Sequence, residues 1–168
     1  RHFPLDNIVL DWHYWPTDAW GSHEFDSIRF AHPKEMVDSL HNTYHAHIMI
    51  SVWPKFYEST AHYKEMKEKG YMLTHNVDMN RIDWVWPGFK NGFYDVYNPG
   101  ARELFWKYLS ETIYPKGFDA WWLDATEPDM HSNISVADRK VDLTPNYCGN
   151  GERMFNPYAT LQAKGVYE

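Results

Sequence analysis

The chain has 168 residues, with 16 Lys and Arg against 23 Asp and Glu for a net charge of -7, and a single cysteine, Cys148. That length suits one domain with a real core; the dispersed acidic charge excludes nucleic acid and an anionic membrane surface as partners; and one cysteine excludes an internal disulfide framework, reading instead as a small half-buried side chain in a loop. No apolar stretch approaches the roughly 20 residues of a membrane helix, and the N-terminal RHFPLDN lacks the regions of a signal peptide, so the piece reads as soluble, compatible with a bacterial periplasmic or secreted location.

Taken in chain order, residues 7 to 12 (NIVLDW) are short, apolar and bounded by turn signals, which predicts a strand. HPKEMVDSLHNTY (32 to 44) spaces Met36, Val37, Leu40 and Tyr44 at helical intervals, with Pro33 suited to a first turn. Residues 45 to 53 (HAHIMISVW) predict a second strand, and a weaker helix covers about residues 60 to 69. A long aromatic, turn-rich loop spans 70 to 97. Asn98 and Pro99 then form an N-cap and N1 pair, opening a helix whose stripe is Ala101, Leu104, Phe105, Tyr108, Leu109, Thr112 and Ile113 and which should stop near Pro115 to Gly117. Residues 119 to 124 (DAWWLD) predict a third strand, 128 to 155 a second long loop, and a last helix begins near Asn156.

Strands alternating with helices predict βαβ units and a parallel sheet covered by helices, which fits a doubly wound sheet or a (β/α)8 barrel. Side-chain parity separates these. In the second strand Ala46, Ile48, Ile50 and Val52 form a purely apolar face, while His45, His47, Met49, Ser51 and Trp53 form a mixed one. Val9 shares a face with Asp11, and Ala120 and Trp122 share one with Asp124. With the apolar face against the helices, Asp11, Trp53, Trp122 and Asp124 all point inward at the C-terminal ends of parallel strands, where a (β/α)8 barrel keeps its chemistry. A barrel needs eight strands and about 250 residues, so the chain is expected to be a segment of one α/β catalytic domain.

Asp124 raises the main chemical question, because an ionised carboxylate removed from water is costly unless partners offset it. By pattern alone a strand-end aspartate is more often a helix cap or loop hydrogen-bonder than a catalyst. Glu127 and Asp129 follow it in a turn-like EPD. Aromatic residues make up 18% of the chain, with nine Trp and 12 Tyr, although its mean hydropathy is -0.65; flat apolar faces with polar tips suit either a bulky core or a sugar site. Tyr14, Trp15 and Trp20 fit subsite platforms and ordinary loop packing equally. His45 and His47, two apart on one face, read as inward histidines satisfied in a polar layer, since no carboxylate or cysteine completes a ligand set at recognisable spacing.

The run GFDAWWLDATEPD resembles the nucleophile motif of glycoside hydrolase family 31, the α-glucosidase and α-xylosidase family, in which Trp, one residue, Asp, two residues and Glu stand at the end of barrel strand four. Here these are Trp122, Asp124 and Glu127. NIVLDWHYW resembles the second-strand motif, whose aspartate, here Asp11, holds sugar hydroxyls in the -1 pocket. ISVWPKF resembles the third-strand segment, with Trp53 lining that pocket; WVWPG and YDVYNPGAR resemble the loop and helix start, with Trp86 as pocket wall; NPYATLQAKGVYE resembles the helix after strand four. The resemblance implies a (β/α)8 TIM barrel of which this chain covers roughly strands 2 to 4, no cofactor and no metal.

It also implies a retaining mechanism, in which Asp124 is the nucleophile, Asp11, Trp53, Trp86 and Trp122 bind substrate, and Glu127 supports Asp124 by hydrogen bonding. The version here looks most like bacterial α-xylosidases acting on xyloglucan-type oligosaccharides, and Ala125 and Thr126 replace the Met-Asn of the common α-glucosidase motif. None of Asp129, Asp138, Asp142, Glu152 and Glu168 stands in a context resembling the acid/base motif, so that residue is expected beyond residue 168, on the remainder of the barrel. The rival readings are an α-glucosidase or α-glucosyltransferase on the same scaffold and, from another class, a non-catalytic carbohydrate-binding protein.

Overall fold

The structure is a computed structural model that describes residues 4–80, 82–83, 85–86, 88–128 and 135–168. Its elements in chain order are β1 (Asn7–Leu10), α1 (Pro33–Thr43), β2 (His47–Val52), β3 (Lys55–Tyr57), α2 (Ala61–Glu68), α3 (Thr74–Asp78), β4 (Asn91–Phe93), α4 (Pro99–Thr112), β5 (Ala120–Leu123), α5 (Val136–Asp142), α6 (Gly151–Met154) and α7 (Tyr158–Tyr167). The expected helix starts hold for local reasons. Pro33 and Pro99 occupy first turns, where a missing N–H costs nothing. The Asn98 side chain accepts from Gly100 N–H at 2.9 Å, and Thr60 Oγ1 accepts from Tyr63 N–H at 3.2 Å, each satisfying a donor that the helix cannot. After α4 a short 3₁₀ turn, Tyr114–Lys116, leads to Gly117 at φ 89°, which ends the helical run where the sequence predicts.

β1, β2 and β5 form a three-stranded parallel sheet in the order β1-β2-β5. The register aligns Ile8 with Ile48, Leu10 with Ile50, Ile50 with Trp121 and Val52 with Leu123, so these side chains share a face. Ile48, Ile50 and Val52 are buried there in one core with Val37 of α1 and Phe105 and Leu109 of α4. The opposite face carries Val9, Met49, Ser51, Ala120 and Trp122. The parity drawn from sequence therefore describes the sheet.

The long loops hold more order than their sequences suggest. β3 follows β2 after a turn and pairs antiparallel with β4, Lys55 opposite Phe93 and Tyr57 opposite Asn91. That small sheet and α3 lie within or against the expected 70–97 loop. α5 and α6 occupy part of the second loop, capped by Ser135, whose side chain accepts from Asp138 N–H at 3.1 Å, and by Asn150, which accepts from Glu152 N–H at 2.6 Å. Asp129 lies outside the described residues. Among the described residues no helix is long and apolar enough to cross a membrane.

Candidate active site

Each of the three parallel strands ends in a residue that sequence reading singled out. Asp11 follows β1, Trp53 follows β2 and Asp124 follows β5. The Asp124 N–H donates to the Val52 carbonyl at 3.0 Å, extending the parallel ladder one step past β5. Ser51 lies opposite Trp122, and the Trp53 indole N–H donates to Ser51 Oγ at 3.1 Å. Trp122 is 39% exposed. The strands thus gather Asp11, Trp53, Trp122 and Asp124 at one end of the sheet.

Asp124 is half-buried, and its Oδ1 accepts from the Ala125 N–H at 2.8 Å. Ala125 itself sits at φ 48°, a left-handed conformation that turns the chain sharply after the strand. Burial pushes the Asp124 pKa up; the Ala125 N–H works against that, while the negative charges of Asp11 and Glu127 add to it, leaving the carboxyl above its ordinary range. Two neighbouring carboxylates therefore act on Asp124. Asp11 is exposed, with Oδ1 accepting from Trp12 N–H at 2.7 Å. Glu127 is exposed too, and among the described residues no hydrogen bond joins it to Asp124, so it reaches Asp124 by charge alone.

An aromatic wall borders this end. Trp20 meets Trp53 edge to face at 4.9 Å and stacks on Trp12 at 5.5 Å. Trp86 lies 5.5 Å from Trp12 and 4.3 Å from the His13 ring. Tyr14, Trp15 and Trp20 are buried, so all three serve loop packing. Beneath the wall Lys55 Nζ stands 2.6 Å from Asp83 Oδ2, with side-chain exposures of 2% and 0%, and 3.7 Å from the centre of the Trp20 ring. Tyr57 OH donates to the same Asp83 oxygen, and Val85 N–H to Oδ1 at 3.0 Å. Sequence reading missed Trp12, His13, Lys55 and Asp83; WHYW directly after Asp11 and the lysine directly after WP were the available signals.

Two sequence expectations need correction. His45 is exposed in the turn before β2 at φ 51°, and His47 is exposed and paired with Asp119 at 3.1 Å, so neither is an inward histidine of a polar layer. A left-handed turn at His45 keeps that residue out of β2, which begins at His47. Cys148 is exposed, not half-buried.

Carboxylates and tryptophans at the C-terminal ends of parallel strands, with helices outside, define a segment of a (β/α)8-barrel domain that presents an acidic, aromatic-walled site. A family model described as the glycosyl hydrolases family 31 TIM-barrel domain matches residues 1–168. The chain belongs to that family. It is 35% identical over 170 residues to an α-xylosidase of Saccharolobus solfataricus, covering 100% of this chain and 20% of the relative. The crystal structure of a family 31 α-xylosidase from Xanthomonas citri superposes with a TM-score of 0.92 at 51% identity, covering 97% of this chain and 18% of that one. A family 31 α-xylosidase from a soil metagenome, complexed with xylose, matches at TM-score 0.76 and 29% identity over 98% of this chain and 23% of that one. The chain thus spans about a fifth of the length of these relatives.

Proposed function

We propose that this chain is the nucleophile-bearing segment of a retaining α-glycosidase that releases terminal α-xylosyl residues from xyloglucan-type oligosaccharides. The observation that carries the reading is Asp124: a half-buried carboxylate one residue past a parallel strand, with Oδ1 held by the Ala125 N–H. The relatives named as α-xylosidases support the sugar class.

In the reaction an Asp124 oxygen attacks the anomeric carbon as the glycosidic C–O bond breaks. A second carboxylic acid protonates the departing oxygen, and the sugar is left esterified to Asp124. The deprotonated second acid then takes a proton from water, which attacks the anomeric carbon and restores Asp124. Retention calls for the two carboxyl groups about 5–5.5 Å apart across the bond. The second acid and the remaining strands belong to the rest of the same longer chain in this reading. Asp11 holds sugar hydroxyls, Trp53, Trp86 and Trp122 flank the ring, and Glu127 acts on Asp124 through its charge. Cationic or hydrogen-bonding partners across the closed pocket would act against the burial and the neighbouring carboxylates that raise the Asp124 pKa.

The test is to incubate the full-length protein with 5-fluoro-α-xylosyl fluoride, whose fluoride departs without a general acid, and to map any adduct by mass spectrometry. One fluoroxylosyl group on Asp124, absent in Asp124→Asn, is the expected result. Labelling by the 5-fluoro-α-glucosyl analogue alone would make the protein an α-glucosidase or glucosyltransferase, and no adduct with either would leave a carbohydrate-binding role. These 168 residues alone are expected not to turn over unactivated glycosides.

A further inference from the structure

At the opposite end of the sheet from Asp124, three side chains from three elements converge. His41 lies in the last turn of α1, His47 opens β2, and Asp119 immediately precedes β5. His41 Nε2 is 2.8 Å from Asp119 Oδ2, and His47 Nδ1 is 3.1 Å from Asp119 Oδ1. One ligating atom from each of the three lies within 4.8 Å of the others. We propose that His41, His47 and Asp119 form a structural site for a borderline transition-metal cation, Zn²⁺ above all, that ties α1 to the starts of β2 and β5.

The donor set fits that ion by chemistry. Two imidazoles and a carboxylate suit Zn²⁺, Co²⁺ or Ni²⁺, whereas Mg²⁺ and Ca²⁺ take oxygen ligands. The geometry is close as well. Bonds of about 2.0–2.1 Å in a tetrahedron set neighbouring ligand atoms roughly 3.4 Å apart, and the two His–Asp separations of 2.8 and 3.1 Å need only small side-chain rotations to reach that spacing. The carboxylate is already oriented. Asp119 N–H donates to the Ile48 carbonyl at 2.9 Å, and Oδ2 accepts from the Ile48 N–H at 2.8 Å, so Oδ1, which among the described residues has only His47 Nδ1 beside it at 3.1 Å, is the oxygen that would turn to a cation shared with that imidazole. His47 has 69% of its side chain exposed, so an ion can enter and a water can complete the coordination.

Asp119 and Asp124 flank the four residues of β5, and the five steps between them span about 16 Å at 3.3 Å per residue. The ion would therefore touch no reacting atom and act only through the fold. Because a bound imidazole must be neutral, uptake should weaken as pH falls.

The experiment titrates chelator-stripped full-length protein with Co²⁺, read by visible d–d absorption, and with Zn²⁺, read by calorimetry and by Tm. It is repeated on the surface variant His47→Asn and on His41→Gln/His47→Asn, both of which keep a hydrogen-bonding group toward Asp119. The wild type should take up one equivalent more than the double variant and show a tetrahedral Co²⁺ spectrum. His47→Asn should weaken that equivalent by more than the roughly 10- to 100-fold that losing even an outer hydrogen-bonding partner costs a metal site. Zn²⁺ should raise the wild-type Tm and leave that of the double variant unchanged. Equal uptake by wild type and double variant, or no wild-type uptake at micromolar Zn²⁺, would overturn the proposal and leave the triad a hydrogen-bonded clamp.

Discussion

Replacing Lys55 by Met tests the ion pair beneath the tryptophan wall. Lys55 Nζ sits 2.6 Å from Asp83 Oδ2, and the two side chains are 2% and 0% exposed. Met matches the length and apolar stem of Lys, so the packing loss is small and the main effect is a carboxylate left without its cation. Breaking a buried pair in this way typically costs about 3–5 kcal/mol, because the surviving charge remains desolvated. The ammonium also lies 3.7 Å from the Trp20 ring centre, a contact worth about 2 kcal/mol when desolvated, and it overlaps the first figure instead of adding to it. With a urea m-value near 2 kcal/mol/M, a loss of about 3–5 kcal/mol moves the unfolding midpoint down by roughly 1.5–2.5 M. Trp20 supports Trp53, so kcat/KM should fall as well. Lys55→Met/Asp83→Asn removes both charges while preserving groups for Tyr57 OH and Val85 N–H, and should recover at least half of the lost stability. A Lys55→Met midpoint equivalent to within about 0.5 kcal/mol of wild type, the range of an ordinary surface substitution, or a double variant no more stable than the single one, would refute the reasoning.

Asp124→Asn should abolish labelling by the fluoroxylosyl fluoride and raise the Tm near neutral pH. The folded carboxyl titrates above its unfolded value, so the native state binds the proton more tightly and its ionised form costs stability, which falls as pH rises through that range; an unchanged pH dependence of Tm between wild type and variant would disprove this. Trp122→Ala should lower kcat/KM at least about 2- to 10-fold, the equivalent of an aromatic contact of roughly 0.5–1.5 kcal/mol, with little change in Tm because the ring is 39% exposed. A large Tm loss with unchanged kinetics would make Trp122 a packing residue. His23 is buried with Nδ1 3.3 Å from His62 Nδ1, and burial first, then the His62 charge, hold its pKa well below 6.5. Below its unfolded value the denatured chain takes a proton that the native state refuses, so stability should drop from about pH 7 to about pH 5 by more in wild type than in His23→Gln; an equal drop would clear His23.

What was legible in the sequence was whatever local pattern decides. The alternation through Ile48, Ile50 and Val52, the prolines at 33 and 99 and the cap at Asn98 each act within a few residues, and each reappears in the structure. β3 and β4 were not legible: each has three residues, too few to show alternation, and they pair across 34 or more positions, as Tyr57 does with Asn91. The caps at Ser135 and Asn150 were readable signals inside a stretch taken for loop. For the site, the strand-end residues were legible from parity, whereas the Lys55–Asp83 pair and the His41–Asp119 contact join residues far apart in sequence and needed the fold.

Asp119 and Asp124 flank the four-residue strand β5 and are perturbed in opposite directions. Burial works to raise both. At Asp119 the Ile48 N–H, His41 and His47 outweigh it and bring the carboxyl down to about 2. At Asp124 one N–H is outmatched by burial and by two neighbouring carboxylates, and the carboxyl moves up. Residue type is the same, so the partners decide. The N-terminal end of the strand is the one that donors and imidazoles hold in place, and the C-terminal end is the one where like charges converge without full compensation. That division suits the nucleophile role proposed for Asp124, with the lower end of the strand setting register and the upper end holding the carboxylate, because an uncompensated charge keeps its geometry only where the surrounding backbone fixes it. Removing the lower clamp should therefore loosen the upper site: His41→Ala/His47→Ala, which takes both imidazoles from Asp119, is expected to lower Tm and to slow Asp124 labelling together, and a fall in Tm with an unchanged labelling rate would show that the two ends are independent.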